Sequence, residues 1–243
     1  MIIQGVTLQG TTVVDAQPVT SGLTYYIDAG SAASYPGSGT SVNNIAGTAP
    51  GAATLTNGPV FTSAGQASYF TFDGTSQYVI TANLIGQSMT GNVTLECWVY
   101  TSSDNGVVVS EQGTSSPNTS WYDSQIEIVS GNLKVAMWPY AFGIGAGVTV
   151  GAVTRNTWQQ YTMVYAAGTA RGYINGSVTN SYSVTRSFGG AGLFYDIMGN
   201  CPTSLGDGGY LGGRWAVFKS YNRALTAAEV TQNFNALRGR YGV

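Results

Sequence analysis

Apolar and polar residues alternate over residues 93–100. Val93, Leu95, Cys97 and Val99 share one side of an extended chain, and Thr94, Glu96, Trp98 and Tyr100 share the other. A period of two places successive side chains on opposite faces of a β-strand, so this stretch predicts a strand with its first face on a core. Residues 158–165 repeat the pattern, setting Tyr161, Met163 and Tyr165 against Gln160, Thr162 and Val164. Shorter runs predict further strands at 25–29, 68–72, 77–81, 106–110, 125–129, 133–138, 171–174 and 177–181. Turn chemistry separates them. Asn175-Gly176 predicts a tight hairpin, because a type I′ turn needs positive φ at both central residues. Residues 130–132, Ser-Gly-Asn, predict a second hairpin, and Asp73-Gly74 and Asn57-Gly58-Pro59 predict tight turns.

Only the C-terminal stretch carries a helical period. Val230, Phe234 and Leu237 fall at i, i+4 and i+7. Thr226 and Glu229 have the spacing of a capping box, and Gly239 is placed to end the helix. The pattern therefore predicts a helix at about 226–237, packed against the edge or end of a β core. Many short strands with turns between them, and one helix, predict an all-β two-sheet antiparallel sandwich. Residues 1–22 follow no long pattern, but Val6, Leu8, Val13 and Val14 are too apolar for a solvated tail. They are expected to form an N-terminal arm that docks on a partner or a symmetry mate, with 23–243 as one domain. A first strand or a frayed terminus is the alternative.

Four stretches together resemble the laminin-G-like, or concanavalin-A-like, jelly-roll family. They are Tyr25-Tyr-Ile-Asp-Ala29; Phe70-Thr-Phe-Asp-Gly74 followed by Tyr78-Val-Ile80; Trp158 through Tyr165 and on to Tyr173-Ile-Asn-Gly176; and Tyr221-Asn-Arg-Ala-Leu225 followed by Thr226-Ala-Ala-Glu229. They run in order from about residue 23 to the C-terminus. The resemblance implies a jelly-roll sandwich. It says little of function, because the fold hosts lectins, enzymes, adhesion modules and virion proteins.

Composition narrows the classes. Charged residues are 8% of the chain and hydrophobic residues 43%, and that charged share is about a third of the usual one. A net charge of −2, with its basic residues scattered, argues against a nucleic-acid partner. No apolar run reaches the roughly 20 residues of a membrane span. The first residues lack a basic and then long apolar leader, so synthesis in a cytoplasm without standard export is expected. A surface of Ser, Thr, Asn, Gln and aromatic residues loses little on burial against another protein, which favours a permanently assembled protein. Cys97 and Cys201 lack zinc spacing and are expected to be a buried thiol and a loop thiol.

Candidate chemistry is sparse. The chain has no histidine, which removes Ser-His-Asp and Cys-His nucleophiles and the commonest metal ligand. Glycoside hydrolysis needs two carboxylates across a cleft, yet Glu96, Glu111 and Glu127 stand singly, with Glu127 expected to face solvent between Ile126 and Ile128. No catalytic residue, no metal ligand and no cofactor is therefore expected. Calcium is common in the resembled family, but the acids here are dispersed and Trp215 and Ala216 stand where relatives carry an acidic pair. Asp207 is the one loop candidate, and a turn role suits it better. Sugar binding stays open. Trp121, Tyr122, Trp138, Tyr140 and Phe142 lie in or beside loops at expected strand ends, where rings stack on sugars or pack against a subunit.

The expectation is a non-enzymatic structural virion protein of a tailed bacteriophage. A capsid decoration protein, head fibre or tail appendage fits, made in the host cytoplasm and located in the virion. Its partners would be capsid or tail proteins, other copies of itself, and a host-surface glycan. The resemblance contributes the phage context. A carbohydrate-binding adhesion module is the alternative and a glycanase the weaker one.

Overall fold

The computed structural model describes residues 17–48, 50–85, 91–137, 147–185, 192–201 and 209–243. Strands are numbered along the chain. The first sheet holds β1 (Leu23–Asp28), β4 (Val60–Thr62), β5 (Tyr69–Asp73), β7 (Val93–Tyr100), β12 (Trp158–Ala166), β13 (Thr169–Ile174), β14 (Ser177–Ser183) and β16 (Gly212–Tyr221). The second holds β2 (Ser41–Val42), β3 (Ala53–Thr56), β6 (Tyr78–Ile80), β8 (Gly106–Gln112), β9 (Tyr122–Val129), β10 (Asn132–Val135), β11 (Val148–Ala152) and β15 (Phe194–Ile197). All strand pairs are antiparallel, with β7 and β16 at the centre of the first sheet and β8 and β15 at the centre of the second. The helix α1 is Ala227–Tyr241. It is not long and apolar enough to cross a membrane.

The period-two faces point where their pattern predicts. Val93, Leu95, Cys97 and Val99 are buried between the sheets with Tyr161 and Met163 of β12 and Trp215 and Phe218 of β16. Val109, Ile126, Ile128, Leu133, Tyr195 and Ile197 meet them from the second sheet. Asn175-Gly176 joins β13 to β14 with φ of 53° and 76°, and Ser130-Gly131 joins β9 to β10 with φ of 50° and 73°. Both are the double positive φ of a type I′ hairpin. Asp73-Gly74 differs from its expectation. It joins strands in different sheets, and the Asp73 carboxylate accepts from the Thr75, Ser76 and Gln77 amides at 2.8, 3.0 and 3.2 Å. Those amides, with Ser76 foremost, hold the Asp73 carboxyl well below the ordinary range.

The helix forms for the predicted reason. Thr226 Oγ1 accepts from the Glu229 amide at 3.2 Å, and the Thr226 amide donates to Glu229 Oε2 at 2.8 Å. Arg223 donates to both Glu229 oxygens at 2.9 and 2.6 Å and, with the capping bonds, holds that carboxyl near a pKa of about 2. Position and length differ from expectation. The helix runs through Gly239 and ends at Gly242, in the left-handed region at φ 70°. It lies across the outer face of the first sheet rather than at an edge. Phe234 and Tyr241 stack on Trp98 at 5.8 and 4.6 Å. Thr94, Glu96 and Trp98, on the polar side of this strand, are therefore as buried as its apolar side.

That interface contains charge. Lys219 Nζ donates to Glu96 Oε1 at 2.9 Å, and both side chains have no exposed surface. The Asn233 amide group donates to Glu96 Oε2 at 2.8 Å and to the Tyr221 hydroxyl at 2.9 Å. The chain just before β1 completes the set. The Val19 amide donates to Asn233 Oδ1 at 2.8 Å, and the Val19 carbonyl accepts from the Tyr221 hydroxyl at 3.0 Å. Gln232 donates to the Gln17 carbonyl at 2.7 Å and Arg223 to the Ser21 carbonyl at 2.9 Å. Residues 17–22 are thus a strap bound along its backbone by helix and corner side chains, part of the packed fold rather than a free arm. Val6, Leu8, Val13 and Val14 lie outside the described residues. Neither Cys97 nor Cys201 is in a disulfide; Cys97 is buried in β7, and Cys201 lies in a loop, as expected, and is buried there too. Burial pushes the Cys97 thiol well above its usual pKa.

Removing one partner of a sealed ion pair strands the other in a medium that solvates it poorly. Lys219→Met is expected to cost about 3–5 kcal/mol of stability, read by urea denaturation. A change below 1 kcal/mol would show that Glu96 finds water or a proton at little cost.

Candidate functional site

Of the five aromatic residues singled out in the sequence, the described structure contains two. Trp121 ends the loop after β8, is half-buried, and packs against the central core. Its indole lies so close to Gly113 that a Cβ there would stand 2.7 Å from the ring, and the Gly113 amide donates to the Trp121 carbonyl at 2.8 Å. The ring is committed to loop packing. Tyr122, the next residue, opens β9 opposite Gln112 and is also half-buried. Trp138, Tyr140 and Phe142 lie outside the described residues, as does Asp207.

The carboxylates are in structural use or sealed. Glu111 and Asp123 face each other across β8 and β9 at 3% and 2% exposure, and neither is without a partner. Glu127 does not reach solvent as expected. It points away from the inter-sheet core, as Ile126 and Ile128 require, but that outer face is closed over at this point. Glu127 is fully buried and accepts from Ser124 Oγ at 3.0 Å. Among the described residues, no group of three or more Cys, Asp or Glu could hold a metal ion.

Asp196 on β15 is the exception to this pattern of use. It is fully buried and neither oxygen has a well-formed hydrogen bond. Burial pushes its carboxyl well above the ordinary range, and the nearby Asn200 amide offsets only part of that. Gly199 is needed beside it, because a Cβ there would overlap the carboxyl.

The described surface also has a groove of about 610 Å³ that sequence reasoning missed. The end of β1, the loop at Gln66, the last turns of α1 and the strap residues Gln17 and Pro18 form it. Its floor is an ion pair. Asp28 Oδ1 accepts from Arg240 Nη2 at 2.7 Å and from the Gly30 amide at 2.8 Å. Oδ2 accepts from Arg240 Nη1 at 2.8 Å and from the Tyr26 hydroxyl at 2.9 Å. Arg240 Nε also donates to the Gln66 carbonyl at 2.7 Å. Burial works against the guanidinium charge, but the Asp28 bonds outweigh it and raise its pKa further. Gly30 permits this closeness, since a Cβ there would collide with the Gln66 carbonyl and the guanidinium. The rim is different. Gln66 and Asn235 are exposed, and among the described residues no hydrogen bond engages either side chain. Gly239 is exposed on the helix with no atom within 4 Å of where its Cβ would stand. The only sequence signal was Asp28 and Arg240 themselves, 212 residues apart, which no local pattern connects.

Comparisons with known proteins agree with this architecture. The profile of the concanavalin A-like lectin/glucanases superfamily matches residues 73–231, well over half of the chain. No curated protein is significantly similar in sequence. Among solved structures, a mutant of Trypanosoma rangeli sialidase displaying trans-sialidase activity superposes with a TM-score of 0.62 at 13% identity, over 94% of this chain and 35% of that one. The same organism's sialidase in complex with sialic acid gives 0.61 at 12% identity, over 90% and 33%. The binding domain of Paraclostridial Mosquitocidal Protein 1 gives 0.58 at 16% identity, over 88% and 52%. The chain spans about a third of the sialidases' length and about half of the mosquitocidal binding domain. At these identities the likeness is one of fold.

Asp196 carries a pH signature. A carboxyl with a raised folded-state pKa adds stability that is full below its unfolded pKa of about 3.9 and is lost as pH rises toward the folded value. Asp73 and Glu229, held low, act in the opposite sense near pH 4, so the signature is in the difference: relative to Asp196→Asn, the wild-type melting temperature should fall as pH rises above about 4. Parallel melting curves of the two proteins from pH 4 to 8 would dismiss this account.

Proposed function

Since the chain belongs to the concanavalin A-like lectin/glucanases superfamily, we propose that it is a non-catalytic recognition module that binds carbohydrate. The use of its carboxylates carries this reading. Carboxylate-pair hydrolysis needs a general acid and a base or nucleophile open to one cleft. Among the described residues, the carboxylates that reach solvent each serve the fold: Asp73 caps its loop, Asp104 pairs with Arg155, and Glu229 caps α1. The acids at the centre of the second sheet are buried. Binding makes no such demand on acids. It needs a shaped polar surface, which the jelly roll provides without moving parts. The protein's work is attachment, with no cofactor.

The test is a glycan array beside an assay for released reducing ends on the polysaccharides that bind. Binding without release is expected. Release that disappears in Glu111→Gln or Glu127→Gln would overturn the reading in favour of a glycanase.

A narrower reading is supported by the 8% charged content. A surface so poor in Lys and Glu is inexpensive to bury permanently. On this reading the protein is a structural component of a tailed-phage virion, repeated on a capsid or tail, and glycan binding serves host adhesion. Residues 1–16, with Val6, Leu8, Val13 and Val14, are the anchor. Deleting them should leave the melting temperature unchanged but abolish incorporation into particles. Deleting residues 1–22 should also lower the melting temperature, because the strap bonds go with them. Particles that incorporate the 1–16 deletion normally would end the anchor assignment.

A further inference from the structure

We propose that the groove between β1 and the last turns of α1 is a binding site for a short neutral glycan. This rests on the reading of the protein as a carbohydrate-binding module and assigns the site. Three observations support it.

The first is charge. Asp28 and Arg240 satisfy each other bidentately, and the Gly30 amide, the Tyr26 hydroxyl and the Gln66 carbonyl take up most of their remaining capacity. The floor is rigid and neutral overall. It has no spare cation for a phosphate or carboxylate and no spare anion for an amine.

The second is the rim. The exposed Gln66 and Asn235 side chains each present a carbonyl acceptor and an NH₂ donor in one plane. Such amides suit neighbouring sugar hydroxyls, each of which donates one bond and accepts others. The volume of about 610 Å³ lies in the range of small-ligand clefts, roughly 300–1,000 Å³.

The third is Gly239. A glycine inside an exposed helix costs about 1 kcal/mol relative to alanine. Where a glycine allows close packing, a neighbour shows the reason, as the Gln66 carbonyl does for Gly30. Gly239 has no such neighbour, and its φ is not among the positive ones. Its consequence is open space and bare backbone on the groove wall, where a flat ring can approach. A ligand is the neighbour that explains it.

The decisive variant is Gly239→Leu, which fills the groove at a position with room for a side chain. Gly239→Ala is the control, and it should melt at or above the wild-type temperature. The probes are neutral oligosaccharides of two to six hexose or pentose units, screened on an array and titrated by calorimetry. Gly239→Leu should weaken the best binder at least tenfold without lowering the melting temperature, and Asn235→Ala should weaken it several-fold. Unchanged affinity in Gly239→Leu overturns the groove assignment. If Trp121→Ala then abolishes binding, the module reading stands with its site at the β8–β9 end. Binding of acidic glycans alone also overturns the assignment. If no glycan binds the wild type, the module reading falls and the groove proposal falls with it.

Discussion

The buried pair of Glu96 and Lys219 is the constraint on which the outer half of this protein depends. Both residues belong to the central strands of the first sheet, register partners on β7 and β16. Both point away from the inter-sheet core, onto a face that α1 seals from water. A charge pair in such a place is tolerable only when its remaining hydrogen-bonding capacity is met. Asn233 meets it from the helix, and Tyr221 and the Val19 backbone close the chain of bonds. Apolar contacts alone would let a helix slide on a sheet. The Asn233 amide has one location that satisfies it, so the network sets where α1 sits along the sheet.

That position has consequences at both ends of the helix. At its start, the Tyr-Asn-Arg-Ala-Leu corner holds the strap through Arg223 and the capping box through Glu229. At its end, Arg240 arrives beside Asp28, and the wall carrying Asn235 and Gly239 stands over β1. The groove follows from docking the helix across a face. A helix on an edge or at an end of the sandwich would not bring Arg240 to Asp28.

The two sheets treat buried ionisable side chains differently. Beneath the helix the charged pair is fully engaged, although Trp98 Nε1, Thr162 Oγ1 and both polar atoms of the Gln160 side chain are buried without a hydrogen bond among the described residues. In the second sheet, Asp196 is buried without a good partner, and burial pushes its carboxyl well above the ordinary range. Unmet polar groups such as these are offset by a large aromatic core in which Trp215, Phe70 and Phe72 meet at 5.9 and 6.4 Å.

The sequence by itself determined the class of fold, the inward face of β7, the type I′ hairpin at Asn175-Gly176, a hairpin at residues 130–132, and the start of α1. These are local properties. Alternation, positive-φ residues and a capping box act within a few positions and survive any arrangement of the rest. Tertiary structure alone decided which sheet each strand joins, so that the turn at Asp73-Gly74 became a crossing between sheets. It decided that Gly239 lies inside the helix, that Glu96 and Glu127 are buried, and that Trp121 packs inward. It also joined Asp28 to Arg240 across nearly the whole chain. Each of these depends on what covers a face, and a strand's own pattern names its two faces without saying what will lie against the second.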